Sequence, residues 1–139
     1  MTLEQTRART AYKHVRRVAE KGPKYRDDYG GMALKLPALV RTAGLCQALH
    51  FVLSRNKRTQ EQPREKEQRA HDQLLDDLGE QLKRVDPAIT NGETLCKRAR
   101  EAELLLYLQL TREAVATLQW YARLARSELN LDPAQVLEE

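Results

Sequence analysis

Residues 104–129 read LLLYLQLTREAVATLQWYARLARSEL, and this stretch decides the fold. Its apolar residues recur in steps of three and four, the spacing of one face of an α-helix. One stripe contains Leu104, Leu108, Thr111, Val115, Leu118, Ala122, Ala125 and Leu129, and a second contains Leu110, Ala114, Tyr121 and Leu124. A helix with so broad an apolar face needs neighbours on several sides. The stretch therefore predicts a long C-terminal helix at the centre of a bundle.

The N-terminal third predicts two or more shorter helices. Thr2 is an expected N-cap with Gln5 in the capping-box position, so a first helix should cover residues 3–20. Its expected core face is Leu3, Ala8, Ala11, Val15 and Val18. Gly22-Pro23 should end it, and Gly30-Gly31 should interrupt a weakly helical segment over residues 24–36. We expect Pro37 in the first turn of the next helix and a bend at Gly44.

The middle of the chain continues the helical pattern. A helical apolar face follows Gly44 and ends near Arg55; it contains Leu45, Ala48, Leu49, Val52 and Leu53. Residues 56–67 have no apolar side chain, so we expect an exposed loop that becomes a solvated helix after Pro63. The next buried face should be Leu74, Leu75, Leu78, Leu82 and Val85. Asp86-Pro87 should end that helix, with a turn at 90–92.

These elements predict an all-α protein. No segment alternates apolar and polar residues as a half-buried strand would. We expect one domain over residues 1–130, an antiparallel bundle of five to six helices with a long C-terminal helix. Residues 131–139 should form a C-terminal tail. At 139 residues the chain has enough material for one modest core.

Charge is divided unevenly along the chain. Residues 1–66 carry 15 Lys or Arg against 6 Asp or Glu, an excess of +9, whereas residues 67–139 carry 9 against 14, an excess of −5. A basic half of this kind suits a polyanion, although an acidic protein surface is an open alternative. The opposite sign in the other half could suit head-to-tail contact between copies.

The sequence contains none of the motifs typical of a catalytic site, a metal site, a secreted protein or a membrane protein. Cys46 and Cys96 have no C-x-x-C spacing, so we expect buried reduced thiols and not a disulfide or zinc site. The three His residues form no metal-binding motif, and no phosphate-binding loop or nucleophile–base pair is apparent. We therefore expect no catalytic residue, no metal and no cofactor. With no secretory signal and no apolar run near the about 18 residues of a membrane span, we expect a cytoplasmic location and no membrane contact.

Short motifs in a fixed order give the chain a family resemblance. They are Glu4-Gln5, Arg7-Ala8, Tyr25, Tyr29, Leu36-Pro37, Gly44-Leu45, Gln47-Ala48-Leu49, Phe51, Tyr107, Leu110-Thr111-Arg112-Glu113-Ala114, Trp120 and Ala125. Over residues 3–128 the chain resembles the small helical subunit of the type III-B CRISPR effector, the Cmr RNA-silencing complex. Two segments depart from the pattern: a longer and more polar insert at 57–70, and the turn near residue 90.

The resemblance implies a non-catalytic structural role in a ribonucleoprotein. Such subunits stack in several copies along the complex and help to line the channel for target RNA, which the complex cleaves when it pairs with the guide RNA. The implied partners are the other Cmr subunits, copies of this chain, guide RNA and target RNA. The implied process is antiviral defence. The signature residues Gly44, Leu45, Gln47, Phe51, Thr111, Arg112, Glu113 and Trp120 would then be structural.

Basic residues on the first helix are the main candidates for RNA contact. The candidates are Arg9, Lys13, Arg16 and Arg17, with Lys21 and Lys24 beyond them and a second cluster of Arg55, Lys57 and Arg58. Side chains on one helix face could follow phosphates without reading base sequence. The alternative for the first set is an ordinary solvated helix face. The alternative for the second is favourable contact with a helix C-terminus.

The signature near the C-terminus favours packing over chemistry. Arg112 and Glu113 should be structural charges that bond other helices. Thr111 could bond back to the carbonyl of Leu108 or Tyr107. We expect Trp120 to make a core or helix–helix contact, since base stacking would need more aromatic residues in basic surroundings.

Two rival functions remain open. The first is a stand-alone helical nucleic-acid-binding protein such as a regulator, although the helix after Gly44 is mainly apolar where a recognition helix would carry base-reading side chains. The second is a small ribonuclease, which would need a His or carboxylate cluster that the sequence does not display.

Overall fold

The structure is a computed structural model that describes residues 1–57 and 67–131, with side chains described for residues 1–55 and 70–131. Six α-helices follow one another in this part of the chain. They are α1 (Leu3–Ala19), α2 (Pro23–Ala43), α3 (Leu45–Lys57), α4 (Glu67–Leu82), α5 (Gly92–Glu101) and α6 (Leu104–Glu128). No β-strand occurs among these residues. The all-α helix bundle with a long C-terminal helix is confirmed.

The helix α6 is central, as its sequence predicts. It packs most extensively against α2 and α1, and also against α4 and α3. Its fully buried residues are Leu110, Ala114, Thr117, Leu118, Tyr121 and Ala125. After Leu129 the chain takes a positive φ of 58° at Asn130, a residue type that tolerates the left-handed region. The Leu131 N–H then reaches back to the Ala125 carbonyl at 3.3 Å, which closes the helix end.

The first part of the α6 stripe was predicted wrongly. Leu104 and Leu108 of the first stripe are 73% and 53% exposed, and Leu105 beside them is 71% exposed. The core is contacted by the second stripe, with Leu110 and Tyr121, and by the later part of the first stripe, with Leu118, Ala125 and Leu129. The apolar face of this helix is broader than the surface its neighbours cover, so periodicity alone could not tell which edge would stay in solvent.

The N-terminal capping signals are confirmed. The Thr2 hydroxyl accepts a hydrogen bond from the Gln5 N–H at 3.1 Å, and the Gln5 side chain accepts one from the Thr2 N–H at 2.8 Å. Of the expected core face of α1, Ala11, Val15 and Val18 are buried, whereas Leu3 is exposed. The helix ends at Ala19, and Pro23 occupies the first turn of α2.

The expected break at Gly30-Gly31 and the expected new helix at Pro37 are both wrong. Helix α2 continues through both sites, and Pro37 lies buried inside it. Gly30 has no side chain at the place where Leu129 and Leu131 come close, and a Cβ there would lie 3.1 Å from Leu129 Cδ1. Packing against α6, α4 and α3 outweighs the weak helix propensity of the segment.

The predicted bend at Gly44 separates α2 from α3. Gly44 has φ 92° and ψ 159°, a conformation that a residue with a Cβ rarely adopts. The Tyr107 hydroxyl, from α6, accepts a hydrogen bond at 3.0 Å from the Cys46 N–H in the first turn of α3. This bond satisfies a donor that has no partner inside its own helix.

Helix α4 has the predicted buried leucines, but it ends at Leu82 and not at Asp86, and the separate helix α5 was not predicted. Leu74, Leu75, Leu78 and Leu82 are buried, and Asn91 caps α5 through the Thr94 N–H at 2.9 Å. The loop expected over residues 56–67, and the helix start expected after Pro63, fall mostly outside the described residues. Residues 132–139 also fall outside them, so the boundary between bundle and tail stays a prediction.

Candidate nucleic-acid interface

The four basic candidates on α1 lie on one exposed helix face. Arg9, Lys13, Arg16 and Arg17 follow the spacing i, i+4, i+7 and i+8, and all four are exposed. Val15 and Val18, on the opposite side of α1, are buried. The helix therefore presents these four residues to the outside as a single row, which we call the basic row.

Two of these four charges are compensated by carboxylates. Arg16 Nη1 lies 3.2 Å from Glu128 Oε1 at the end of α6, and Arg17 Nη2 lies 2.8 Å from Asp77 Oδ1 on α4. Within the described part of the chain, the Arg9 side chain makes its one hydrogen bond to the Met1 sulfur, at 3.4 Å. Lys13 pairs with no carboxylate there. Arg9 and Lys13 are thus the strongest candidates for phosphate contact.

The remaining candidates are less concentrated. Lys21 lies over the Tyr25 ring at 5.7 Å, and Lys24 pairs with Asp28 at 3.6 Å. Arg55 lies over the Phe51 ring at 5.8 Å on α3. The side chain of Lys57 and the whole of Arg58 lie outside the described residues, so the second basic cluster stays a prediction.

The signature residue Glu113, on α6, bonds α1 and the segment that follows α4. Arg7 on α1 binds it through two hydrogen bonds, Nε to Oε2 at 2.8 Å and Nη2 to Oε1 at 2.7 Å. Arg84, just after α4, donates to Oε2 at 2.9 Å. Burial alone would raise the pKa of Glu113, but the two guanidinium groups outweigh it and lower that pKa. The structural charge predicted at Glu113 is therefore present. The same prediction for Arg112 is wrong, because the Arg112 side chain is exposed and bonds no other described residue.

Trp120 also joins α6 to α1. Its indole Nε1 donates to Glu4 Oε1 on α1 at 2.9 Å, and its partly buried ring packs against the core. Together with the bond between Arg7 and Glu113, this contact explains why Glu4, Arg7, Glu113 and Trp120 occur together: they dock α1 on α6. The predicted helix–helix contact of Trp120 is confirmed.

The other signature residues have mixed roles. Gly44 forms the bend, Leu45 is buried and Phe51 packs against the core. Gln47 is exposed, and nothing in the structure explains its place in the pattern. The expected back-bond of Thr111 is wrong, because its hydroxyl oxygen is buried with no hydrogen-bond partner.

An open groove lies beside the basic row. Its volume is about 370 Å³, and its lining residues are Ala8, Arg9, Tyr12, Trp120 and Leu124. Tyr12 is 49% exposed. The sequence analysis missed this groove, because Tyr12 and Trp120 lie far apart in the chain and become neighbours only when α1 docks on α6.

A buried polar cluster was also missed. His14 Nδ1 lies 2.7 Å from the Tyr121 hydroxyl, and Asp77 Oδ2 accepts a hydrogen bond from the Tyr29 hydroxyl at 2.6 Å. Burial raises the pKa of Asp77 and of both Tyr hydroxyls. A signal was available: His14 falls between Ala11, Val15 and Val18 on the apolar face of α1. The cluster links α1, α2, α4 and α6 inside the core.

The structure holds no sign of a metal centre in its described part, where no three His, Cys, Asp or Glu residues group as ligands. Cys96 is buried and Cys46 is half-buried, both as free thiols. Burial raises the pKa of the Cys96 thiol to about 11, so it stays protonated at neutral pH. Within the same residues, no helix is both long enough and apolar enough to span a bilayer.

Three comparisons with known proteins identify the same family. The profile described as "CRISPR-associated protein (Cas_Cmr5)" matches residues 3–128. The "CRISPR system Cmr subunit Cmr5" of Thermus thermophilus is 45% identical over 126 residues, which cover 91% of this chain and 95% of that protein. The crystal structure of a CRISPR-associated Cmr5 family protein from the same organism superposes with a TM-score of 0.73 at 42% identity. It covers 91% of this chain and 97% of that one.

Proposed function

The chain belongs to the CRISPR-associated Cmr5 family, and from that membership we propose that it is a non-catalytic structural subunit of an RNA-guided Cmr complex. In this role it stacks in several copies beside the other Cmr subunits, in the cytoplasm, and serves antiviral defence. Its α1 face contributes a basic surface to the channel for target RNA.

The main support for the RNA contact is that two residues of the basic row form no ion pair with a described carboxylate. Arg9 and Lys13 are exposed, one helical turn apart, and no described carboxylate neutralises them. Side chains so placed can follow phosphates without selecting a base sequence. A guide-programmed complex needs that property, because base pairing supplies its specificity.

Exposed leucines at the start of α6 support contact with other subunits. Leu104, Leu105 and Leu108 form an exposed apolar patch at the start of α6, which we call the leucine patch. Apolar residues clustered in this way mark interaction surfaces more often than isolated ones do. We propose that the leucine patch is covered when the chain enters the complex.

A charge-reversal experiment tests the RNA contact. Complexes reconstituted with the R9E/K13E variant should bind target RNA more weakly than wild-type complexes. The dependence of log K on log salt should become less steep by about 1 for each phosphate that the variant no longer binds. Arg16 and Arg17 are left unchanged, since reversing them would break ion pairs with Glu128 and Asp77.

The matched control reverses two exposed lysines elsewhere. Lys83 and Lys97 lie just after α4 and on α5, and both are exposed. The K83E/K97E variant makes the same change in net charge away from the basic row. Equal RNA affinity for the two variants at low salt would contradict the proposed RNA contact.

The alternative of a stand-alone regulator gains little from the fold. The helix after the Gly44 bend, α3, keeps Leu45, Ala48, Leu49 and Val52 in the core. A recognition helix would need base-reading side chains on an accessible face. The geometry therefore supports the subunit function better.

A further inference from the structure

We propose that the groove between α1 and α6 holds one unpaired base of single-stranded RNA. This inference rests on the proposed RNA contact of α1. It adds that the chain touches a base of the RNA as well as its phosphates. The base would enter between Tyr12 and Trp120, while Arg9 and Lys13 bind the adjoining phosphates.

The groove has the size and lining of a small ligand site. Its volume of about 370 Å³ lies within the range of about 300–1,000 Å³ that such sites occupy. Two of its five lining residues are aromatic, and Ala8 and Leu124 complete the apolar surface. Trp120 is held in place by its bond to Glu4, so one wall is fixed before a ligand arrives.

The aromatic residues favour a base over an aliphatic ligand. Every nucleobase has a flat face that stacks on Tyr or Trp, whatever its sequence. Recognition of RNA single strands relies on such rings together with Arg guanidinium planes. Arg9 supplies the guanidinium at the rim of this groove. The sequence alone could not group these three residues.

The charges favour a nucleic acid over an apolar peptide. A peptide packed into the groove would cover the Arg9 guanidinium without a counter-ion, which is costly. An RNA strand brings phosphates to both Arg9 and Lys13. Glu4 stands near the groove, but Trp120 Nε1 and Arg7 Nη1 bind its carboxylate at 2.9 Å and 3.4 Å. Its negative charge is therefore partly compensated.

Trp120 provides an internal probe, because it is the only tryptophan of the chain. A base stacked on the indole ring should quench its fluorescence. The test titrates the full chain at low salt with a 12-nucleotide oligouridylate. A parallel titration uses an abasic oligomer of the same length and charge, and a 3′ fluorescein on each oligomer reports its binding by anisotropy.

We expect saturable quenching with oligouridylate and none with the abasic oligomer, which should also bind more weakly. Y12A should reduce the affinity for oligouridylate by roughly tenfold, the effect of losing one stacked base. It should leave the affinity for the abasic oligomer unchanged. K13Q should weaken binding of both oligomers, because it removes a phosphate contact.

Two control variants each remove one exposed side chain outside the groove. Leu3 is 49% exposed, as is Tyr12, so L3A tests the loss of an equally exposed apolar side chain outside the groove lining. K83Q tests the loss of an exposed lysine elsewhere. Neither should change binding of either oligomer.

The outcomes separate this inference from the proposed function. Equal binding of both oligomers without quenching would overturn the base site and leave the phosphate contact standing. Binding of neither oligomer would overturn the base site as well, while the R9E/K13E experiment on the assembled complex would still test the proposed function. Quenching that persists unchanged in Y12A would also contradict the base site.

Discussion

At the scale of single residues, Glu113 explains why a charged pair stands in the middle of a core helix. Its carboxylate receives three hydrogen bonds from Arg7 and Arg84, which lie outside α6. Arg112, its neighbour, is exposed. The signature therefore combines one residue that ties helices together with one that faces solvent.

Replacing Glu113 should be costly. E113Q removes the negative charge that two partly buried guanidinium groups share, and it leaves Arg7 only the exposed Glu4 carboxylate at 3.4 Å. We therefore expect the free energy of unfolding to fall by about 3 kcal/mol. R112Q, one position away, should change it by less than about 0.5 kcal/mol. Urea unfolding of both variants at pH 7 measures the difference.

The comparison of wild type with E113Q also predicts a pH dependence. Because the pKa of Glu113 is lowered in the folded protein, its contribution to stability is present above the unfolded-state pKa. That contribution disappears as the pH falls through the lower folded-state pKa. The stability gap between wild type and E113Q should therefore shrink in acid. A gap that stays constant from pH 7 to pH 3 would contradict the ion-pair account.

At the scale of elements, the bend at Gly44 fixes how α3 leaves α2. G44A places a Cβ on a residue with φ 92° and 3.4 Å from the Tyr107 hydroxyl. We expect a loss of about 1–3 kcal/mol in thermal or urea unfolding. The hydroxyl also accepts the Cys46 N–H, so the substitution should disturb the start of α3.

Gly22 offers the matching control. Its φ is −66°, and a Cβ there would meet nothing within 4 Å. In G22A the gain from a less flexible unfolded chain offsets the loss of a glycine cap, so the net change should be near zero. Equal losses in G44A and G22A would show that the backbone conformation of Gly44 does not matter.

Elements differ in how far their sequence determined them. The cap at Thr2 and the buried leucines of α4 could be predicted, because they depend on residues a few positions apart. The continuous α2 could not, because the packing of Leu129 and Leu131 against Gly30 decides it. The groove between α1 and α6 and the buried polar cluster could not be predicted either, because both depend on contacts between distant helices. Periodicity assigns residues to a face but does not identify the partner of that face.

At the scale of the whole molecule, the basic row on α1 and the leucine patch on α6 are separate surfaces. We propose that the basic row binds RNA and that the leucine patch binds another protein subunit. The chain is basic in its first half and acidic in its second, which fits a subunit that meets copies of itself and a polyanion.

The leucine patch carries a prediction of its own. L105K/L108K should fold with wild-type stability, since both side chains are exposed. Its incorporation into the reconstituted complex should fall at least several-fold, because two charges replace the apolar contact. The control Q119K/S127K adds the same charge at exposed positions of α6 and leaves the patch intact. Wild-type incorporation of L105K/L108K would exclude the patch as an interface.

The most direct test of the central claim is affinity purification of the tagged chain from the cells that encode it, with identification of the proteins and RNA that come with it. Membership of a Cmr ribonucleoprotein predicts the other Cmr subunits together with a guide RNA. Recovery of the chain alone, or with genomic DNA, would contradict the account and favour a stand-alone regulator.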